Sequence, residues 1–387
     1  MIRVSGYDVA SYGEMIDCEP RMGVYVEALK RAVTPGCTVI DLGAGFGVFA
    51  LLACKFGAGE VIAIEPDPSI ELLMPMARAN GCADRITVVR DLSTRYTPER
   101  KADVIVSDCR GTVNLYEHHI ATIKDARERL LAPGGTLMPM RDTLKVALAR
   151  SPKTYRQCHY PWRSNKYGLD LSAALPFAVS TENKAYLKPR ALMSQPQDLA
   201  VIDYRTVTEP NVDTTVELVA DKDGIVHGLL IWFDAEIAEG LGYSNAPGQP
   251  ELVYGQMFLP LENPPHLKAG DRVQLRFRAN LIDNNYLWSW DGEVIDGVTG
   301  TRRNPFRQSS FRSRVIAKDA ASARSNLAVP QRSVRMEIDA ACLAMIDGGT
   351  DQDAIAKTLM QRYPEQLPTY GTALDHVVSL LVRYNDK

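Results

Sequence analysis

The stretch Val39-Ile40-Asp41-Leu42-Gly43-Ala44-Gly45-Phe46-Gly47 decides the fold. Thr38 to Leu42 reads as a short apolar strand, and Val48 to Phe56 as an apolar helix closed by Gly57-Ala58-Gly59. A glycine-rich loop between strand and helix lets the backbone turn sharply and approach a ligand closely. Outward from it the same rhythm continues. Glu60–Glu65, Arg85–Val89 and Ala102–Ser107 read as strands. Ser69–Asn80 reads as a helix capped by Gly81, and His118–Leu131 as a helix ended by Pro133-Gly134-Gly135. Upstream, Val24 to Val33 has helical periodicity and stops at Thr34-Pro35-Gly36. Short apolar strands alternating with helices predict an α/β first domain over residues 1–148, a parallel sheet covered on both faces.

The loop spacing is G-x-G-x-G, whereas a dinucleotide fingerprint is G-x-G-x-x-G. Asp41 precedes the first glycine, where a carboxylate suits a cationic ligand and is awkward for a pyrophosphate. Glu65 closes the second strand, placed to accept hydrogen bonds from both ribose hydroxyls. A cationic, ribose-bearing ligand without phosphate is S-adenosylmethionine. Gly43, Gly45 and Gly47 then form its cradle, with Asp91 and Leu92 near the adenine pocket. The competing readings are a nicotinamide cofactor and a glycine turn with no ligand.

The chain has 387 residues, enough for two or three domains at about 150 residues each. Its 45% hydrophobic and 24% charged content is that of a folded globule. A net charge of −3 excludes a dedicated nucleic-acid or anionic-membrane binder, which would carry a basic excess. No apolar run is long enough to span a membrane, and the N-terminus has no signal-peptide stretch. Seven scattered cysteines without a CxxC pair argue against a zinc site or a disulfide framework. No metal is expected, and reduced thiols place the protein in the cytoplasm.

Beyond Ser151 the rhythm changes. Residues 151–200 read as an insertion of aromatic, proline and polar residues. Ala200–Tyr204, Thr215–Val219, Gly228–Glu236, Val253–Pro260, Arg272–Ala279 and Asn285–Trp290 read as strands of an antiparallel barrel or sandwich. Residues 301–335 are rich in arginine and serine, and 336–382 read as helices.

Several of these stretches together resemble the class I S-adenosylmethionine-dependent methyltransferases, and the protein arginine methyltransferases in particular. Glu14 to Arg21 resembles the family's EMLKDEVR helix. Ser107-Asp108-Cys109-Arg110-Gly111 with Leu115-Tyr116-Glu117 resembles its double-E loop, SEWMG…FYES. Arg129 to Gly135 resembles RWLAPDG. Trp162 to Ser172 resembles the dimerisation arm, and Tyr243 to Gln256 the stretch through the THW loop. The resemblance is collinear over roughly residues 10–295. It implies a Rossmann-like seven-stranded methyltransferase domain, a β-barrel-like domain over 149–300 with an arm at 155–190, and a homodimer. It also implies that Arg21 pairs with the cofactor's carboxylate, with Met15 lining the site. A solvated helix charge and plain core packing are the competing readings of these two. Residues 338–384 resemble the PqqD-like leader-peptide-binding modules, which makes 301–387 a small helical domain. A strand edge within 305–336 would then accept an extended peptide.

This sequence departs from the family pattern. The first loop glutamate is Asp108, the THW triplet is Leu252-Val253-Tyr254, the aspartate of EMLKDEVR is Cys18, and Arg110 replaces a methionine. Methyl transfer from a sulfonium needs alignment and a nucleophile's lone pair. Asp108 and Glu117 are the candidate catalytic pair, since two carboxylates can hold a guanidinium on two nitrogens and aim the third; a solvated loop pair is the bland alternative. His118 and His119 read as helix-start residues, and Cys109 as a pocket lining. The expected activity is N-methylation of a guanidine or amine, arginine included, in a peptide or a specialised metabolite. S-adenosylhomocysteine is the product, and the other partner is a peptide or small molecule. The alternatives are an O- or C-methyltransferase, or a non-catalytic subunit that recruits a peptide.

Overall fold

The computed structural model describes residues 8–313 and 332–384, and the chain divides into compact units at Met1–Val315 and Ile316–Lys387. The first begins with helices α1 (Val9–Asp17) and α2 (Glu19–Ala32). Strand and helix then alternate through β1 (Thr38–Leu42), α3 (Val48–Lys55), β2 (Glu60–Ile64), α4 (Leu73–Ala79), β3 (Ile86–Val89), β4 (Ala102–Ser107), α5 (His119–Arg129) and β5 (Leu131–Met138). The strands run parallel in the order β3-β2-β1-β4-β5. All five residues of β1 are buried, as expected of a central strand covered on both faces.

The strand order reverses between β1 and β4, and open α/β sheets bind ligands in the crevice at such a switch point. Leu42 pairs with Ser107, so the glycine loop after β1 and the loop carrying Asp108 emerge side by side. Gly43, Gly45 and Gly47 all have positive φ, at 71°, 53° and 77°. A Cβ on Gly43 would lie 2.2 Å from Cys109 Sγ, and one on Gly45 would lie 2.5 Å from the Tyr12 ring. Tyr12 of α1 stacks on Phe46 with centroids 4.1 Å apart, so α1 covers the loop.

Two expectations change here. The described sheet has five strands, not seven. The segment read as the tail of the first domain is β6 (Arg141–Ala149), which pairs with a distant antiparallel strand and leaves the parallel sheet closed by β5. Pro133-Gly134-Gly135 lies inside β5 and does not merely end a helix.

The rest of the unit is antiparallel. It comprises α6 (Pro152–Arg163), α7 (Leu175–Ala178), β7 (Asn183–Ala185), β8 (Gln197–Asp203), β9 (Val212–Val219), β10 (Gly224–Ile225), β11 (Gly228–Ala238), β12 (Leu241–Ser244), β13 (Gln256–Pro260), β14 (His266–Leu267), β15 (Arg272–Ile282), β16 (Asn285–Ile295) and β17 (Arg302–Ser309). One sheet runs β7-β13-β11-β6-β8, with β12 on β11, and another runs β17-β16-β15-β9. β15 alternates Val273, Leu275, Phe277 and Ala279 inward with arginines outward, the period-2 pattern of a half-buried strand. One continuous apolar cluster links both sheets to the parallel sheet.

The second unit holds α8 (Val334–Asp347), α9 (Gln352–Arg362) and α10 (Tyr370–Tyr384), packed around Cys342, Leu359 and Val377. Its described residues form helices and turns. The strand edge expected within 305–336 is described only as far as β17 and the short turn after it; residues 314–331 lie outside the described residues.

Replacing Gly43 with alanine should cost about 1–2 kcal/mol from the left-handed backbone alone, plus the clash with Cys109 Sγ. Since Cys109 Cβ stands 4.0 Å away, adding Cys109→Ala should recover the part due to the clash. Urea unfolding of the single and double variants measures both parts.

Candidate active site

The centre of the site is a buried cluster of charges. Pro20 sits in the first turn of α2, whose buried face carries Arg21, Tyr25, Ala28 and Leu29. Arg21 Nε is shared between Asp108 Oδ2 and the Tyr254 hydroxyl, the latter at 3.0 Å. Arg21 Nη1 donates to the Met15 carbonyl at 3.1 Å. Asp108 Oδ2 also accepts from Tyr254 at 2.5 Å, and Oδ1 accepts from Arg110 Nη1 at 2.8 Å. The Arg110 side chain has no exposed surface. It forks onto Asp142 of β6, with Nε to Oδ2 at 2.9 Å and Nη2 to Oδ1 at 3.0 Å. Its Nη1 reaches the hydroxyls of Tyr25 at 2.9 Å and Tyr243 at 3.1 Å. Tyr204 donates to Asp142 Oδ2 at 2.6 Å and contacts His119 Nε2 at 3.0 Å.

Burial opposes ionisation of Asp108, but Arg21 and Arg110 override it and hold its pKa down to about 2. Burial likewise opposes the charges of both arginines. Asp108 and Asp142 respectively outweigh it and raise both above the usual range. Arg21, Asp108 and Arg110 are therefore held in their charged forms, and Arg110 is ion-paired to Asp142 as well as to Asp108. Burial, helped by Arg110, lowers His119 to about 3, so it is neutral near pH 7.

This cluster borders a cleft of about 910 Å³ that runs from the glycine loop to β16. Met15, Arg21, Gly43, Gly45, Glu65, Asp108 and Glu117 line it, so most of the residues singled out in the sequence converge here. Glu65 Oε2 accepts from Gly45 N at 3.0 Å and Oε1 from Asp67 N at 2.9 Å; burial raises its pKa. Glu117 is exposed to the cleft with φ 40°, a conformation rare outside glycine and frequent at functional sites.

Other residues fall elsewhere. Gly47 packs on Leu73 and does not line the cleft. Asp41 is fully buried behind the loop, where its Oδ2 accepts from Ala50 N at 2.9 Å and burial pushes its pKa up to about 7. Asp91 and Leu92 do not line the cleft; Asp91 pairs with Arg95 at 3.5 Å, and Leu92 is half exposed. His118 contacts Asn284 at 2.8 Å on the surface. Cys109 lines the cleft with its thiol pushed up to about 12 by burial, which makes it inert. Sequence reasoning missed Asp142, Tyr204, Tyr243 and Tyr254 as cluster members. The one signal was Arg110 itself, since a buried arginine demands a carboxylate partner.

Two family models match the chain: the ribosomal protein L11 methyltransferase over residues 23–139, and the arginine methyltransferase oligomerization subdomain over residues 143–287. The arginine N(omega)-methyltransferase of Streptomyces achromogenes subsp. streptozoticus is 30% identical over 270 residues, spanning 68% of this chain and 74% of that protein. The chain belongs to the arginine methyltransferase family. It is an S-adenosylmethionine-dependent methyltransferase. Protein arginine N-methyltransferase 1 of Dictyostelium discoideum is 24% identical over 280 residues, 70% of this chain and 82% of that one. Two solved structures share the fold at a TM-score of 0.69. One is the Trypanosoma brucei PRMT1 enzyme–prozyme heterotetramer with AdoHcy, at 22% identity, covering 77% of this chain and 96% of that one. The other is Arabidopsis thaliana protein arginine methyltransferase 10, at 20% identity, covering 78% and 97%.

The cleft suits the family's cofactor: the glycine loop forms one wall of it, and Glu65 lines it just past the end of β2, where ribose hydroxyls need an acceptor. Among the described residues no group of three or more His, Cys, Asp or Glu could hold a metal ion, and no helix is long and apolar enough to cross a membrane.

Asp142→Asn would leave Arg110 half-compensated in a dry interior. We expect a loss of about 3–5 kcal/mol in urea unfolding, as for a broken buried ion pair.

Proposed function

We propose that this enzyme methylates a guanidine nitrogen of arginine type, in a peptide or a specialised metabolite. The observation that carries this reading is a charge count. The buried cluster of Arg21, Asp108, Arg110 and Asp142 is neutral within itself. A cationic acceptor therefore needs one further carboxylate, and Glu117 stands on the same cleft without an ion-pair partner among the described residues. The bound cofactor supplies a methyl group on a positively charged sulfur, which is already a good leaving group.

The chain's residues do the rest. Glu65 and the glycine loop hold the sugar end, and Arg21 offers its guanidinium to the amino-acid end. Glu117 accepts N–H bonds from the acceptor guanidinium, fixes its plane and takes the proton its nitrogen must lose. Asp108 has both oxygens engaged by arginines and Tyr254. In that arrangement it fixes Arg21 and presents negative charge, while Glu117 grips the acceptor. Asp108 and Glu117 thus divide the work that two glutamates share in the family.

The reading extends to assembly and setting. We propose a homodimer through residues 155–190, where Tyr160, Trp162, Tyr167, Leu169, Leu171 and Phe177 are exposed, an apolar density typical of an interaction surface. Free thiols at all seven cysteines support a reducing cytoplasm.

Glu117→Gln should bind S-adenosylmethionine with unchanged affinity by calorimetry and lose about 10²–10³-fold in kcat toward a guanidine acceptor; full turnover would remove Glu117 from the chemistry. Light scattering at micromolar concentration should give twice the chain's mass, and Trp162→Asp with Leu169→Asp should give the single chain.

A further inference from the structure

We infer that Lys184 and Glu182 select a free α-amino acid bearing the guanidinium, by pairing with its α-carboxylate and α-ammonium; this rests on the guanidine reading above. Three cations line the cleft: Arg21, Arg110 and Lys184. The two arginines are neutralised by Asp108 and Asp142. Lys184 has no ion-pair partner among the described residues. Its Nζ donates to the Val253 carbonyl at 2.5 Å and lies 5.6 Å from the Tyr186 ring centroid. Val253 stands at the middle position of the loop where the family carries histidine. In this chain the cation that reaches this loop is therefore a lysine held by a backbone carbonyl, with N–H donors left for a ligand.

Lys184 lies in β7 and Glu182 is the residue just before that strand; both line the cleft. Lys184 pairs in register with Met257 of β13, another lining residue, so this face of the sheet forms a wall of the cleft. Glu182 likewise has no ion-pair partner among the described residues. The cleft thus carries one unpaired cation and, two positions before it in the chain, one unpaired anion, with Glu117 as a further anion. A free arginine-type amino acid carries the complementary set: carboxylate, ammonium and guanidinium. An arginine inside a peptide has neither α-charge, and agmatine lacks the carboxylate. Complementary charges of this kind act on specificity more than on rate.

The test compares kcat/KM of the full-length enzyme for L-arginine, agmatine and a peptide with an internal arginine. Arginine should be favoured over each by about tenfold or more. Lys184→Met should shrink the arginine-to-agmatine ratio about tenfold by raising KM for arginine, as expected for one lost charge-assisted hydrogen bond. Lys184→Arg should restore most of the ratio, an effect that a merely structural role would not give. Glu182→Gln should shrink the ratio of arginine to N-α-acetylarginine in the same way. Equal use of agmatine or peptide, or an equal loss on arginine and agmatine in Lys184→Met, would overturn the inference. If the peptide is methylated and arginine is not, the guanidine reading survives and this selection alone fails. If cofactor binds and no guanidine accepts a methyl group, the guanidine reading itself falls and takes this inference with it.

Discussion

The site depends on Asp108 being held between two guanidinium groups. Moving one charge from water into a protein interior costs several kcal/mol even after relaxation. Here four are buried or nearly so, and they are tolerable because they alternate in sign and all three Arg110 nitrogens find an oxygen. Arg21 on α2, Asp108 and Arg110 after β4, and Asp142 on β6 come from separate segments of the chain. The cluster therefore fastens the helix ahead of the sheet, the sheet's central loop and the first antiparallel strand to one another. Tyrosines 25, 204, 243 and 254 add hydrogen bonds to the charged groups of the cluster, which lowers the penalty that unpaired polar groups would carry.

The same cluster explains how the chain can depart from its family at several positions together. An arginine in place of a methionine beside the loop would repel a cationic acceptor if it stood alone. Forked onto Asp142, it adds no net charge. Losing the family's histidine and its aspartate partner together leaves no unpaired half behind. Tyr254, the next residue after the altered position, donates to Asp108 instead. The changes are thus mutually compensating in charge and hydrogen bonding, while Glu117, Glu182 and Lys184 line the cleft without ion-pair partners among the described residues.

Topology supplies the rest of the geometry. Because β1 and β4 are neighbours in a sheet whose order reverses between them, the glycine loop and the Asp108 loop form two lips of one crevice. The antiparallel region then brings β7 and the Val253–Tyr254 loop to the opposite side. The cleft thus draws its lining from both halves, with the glycine loop, Asp108 and Glu117 from the parallel half and Lys184, Val253 and Tyr254 from the antiparallel half.

Local chemistry was enough to fix the parallel sheet, the glycine loop and the position of Glu65, because strand-turn-helix signals and glycine spacing act over a few residues, whereas Arg21, Asp108 and Glu117 were picked out by family resemblance and meet on the cleft that Glu65 also lines. The helical periodicity of residues 334–384 was equally readable. Where the sequence fell short, the deciding contacts were distant. β6 looked like the tail of the first domain, since an apolar run does not say which strand it will pair with, and only β11 settles that. Asp41 looked like a ligand group; its carboxylate turned inward to cap the start of α3. Asp91 and Leu92 follow β3, and neither lines the cleft. Arg110 could be seen to need an anion, but its partner is 32 positions away on another strand. Periodicity reports neighbours along one element, whereas charge compensation is a property of a point in space, and that point exists only once the strands are paired.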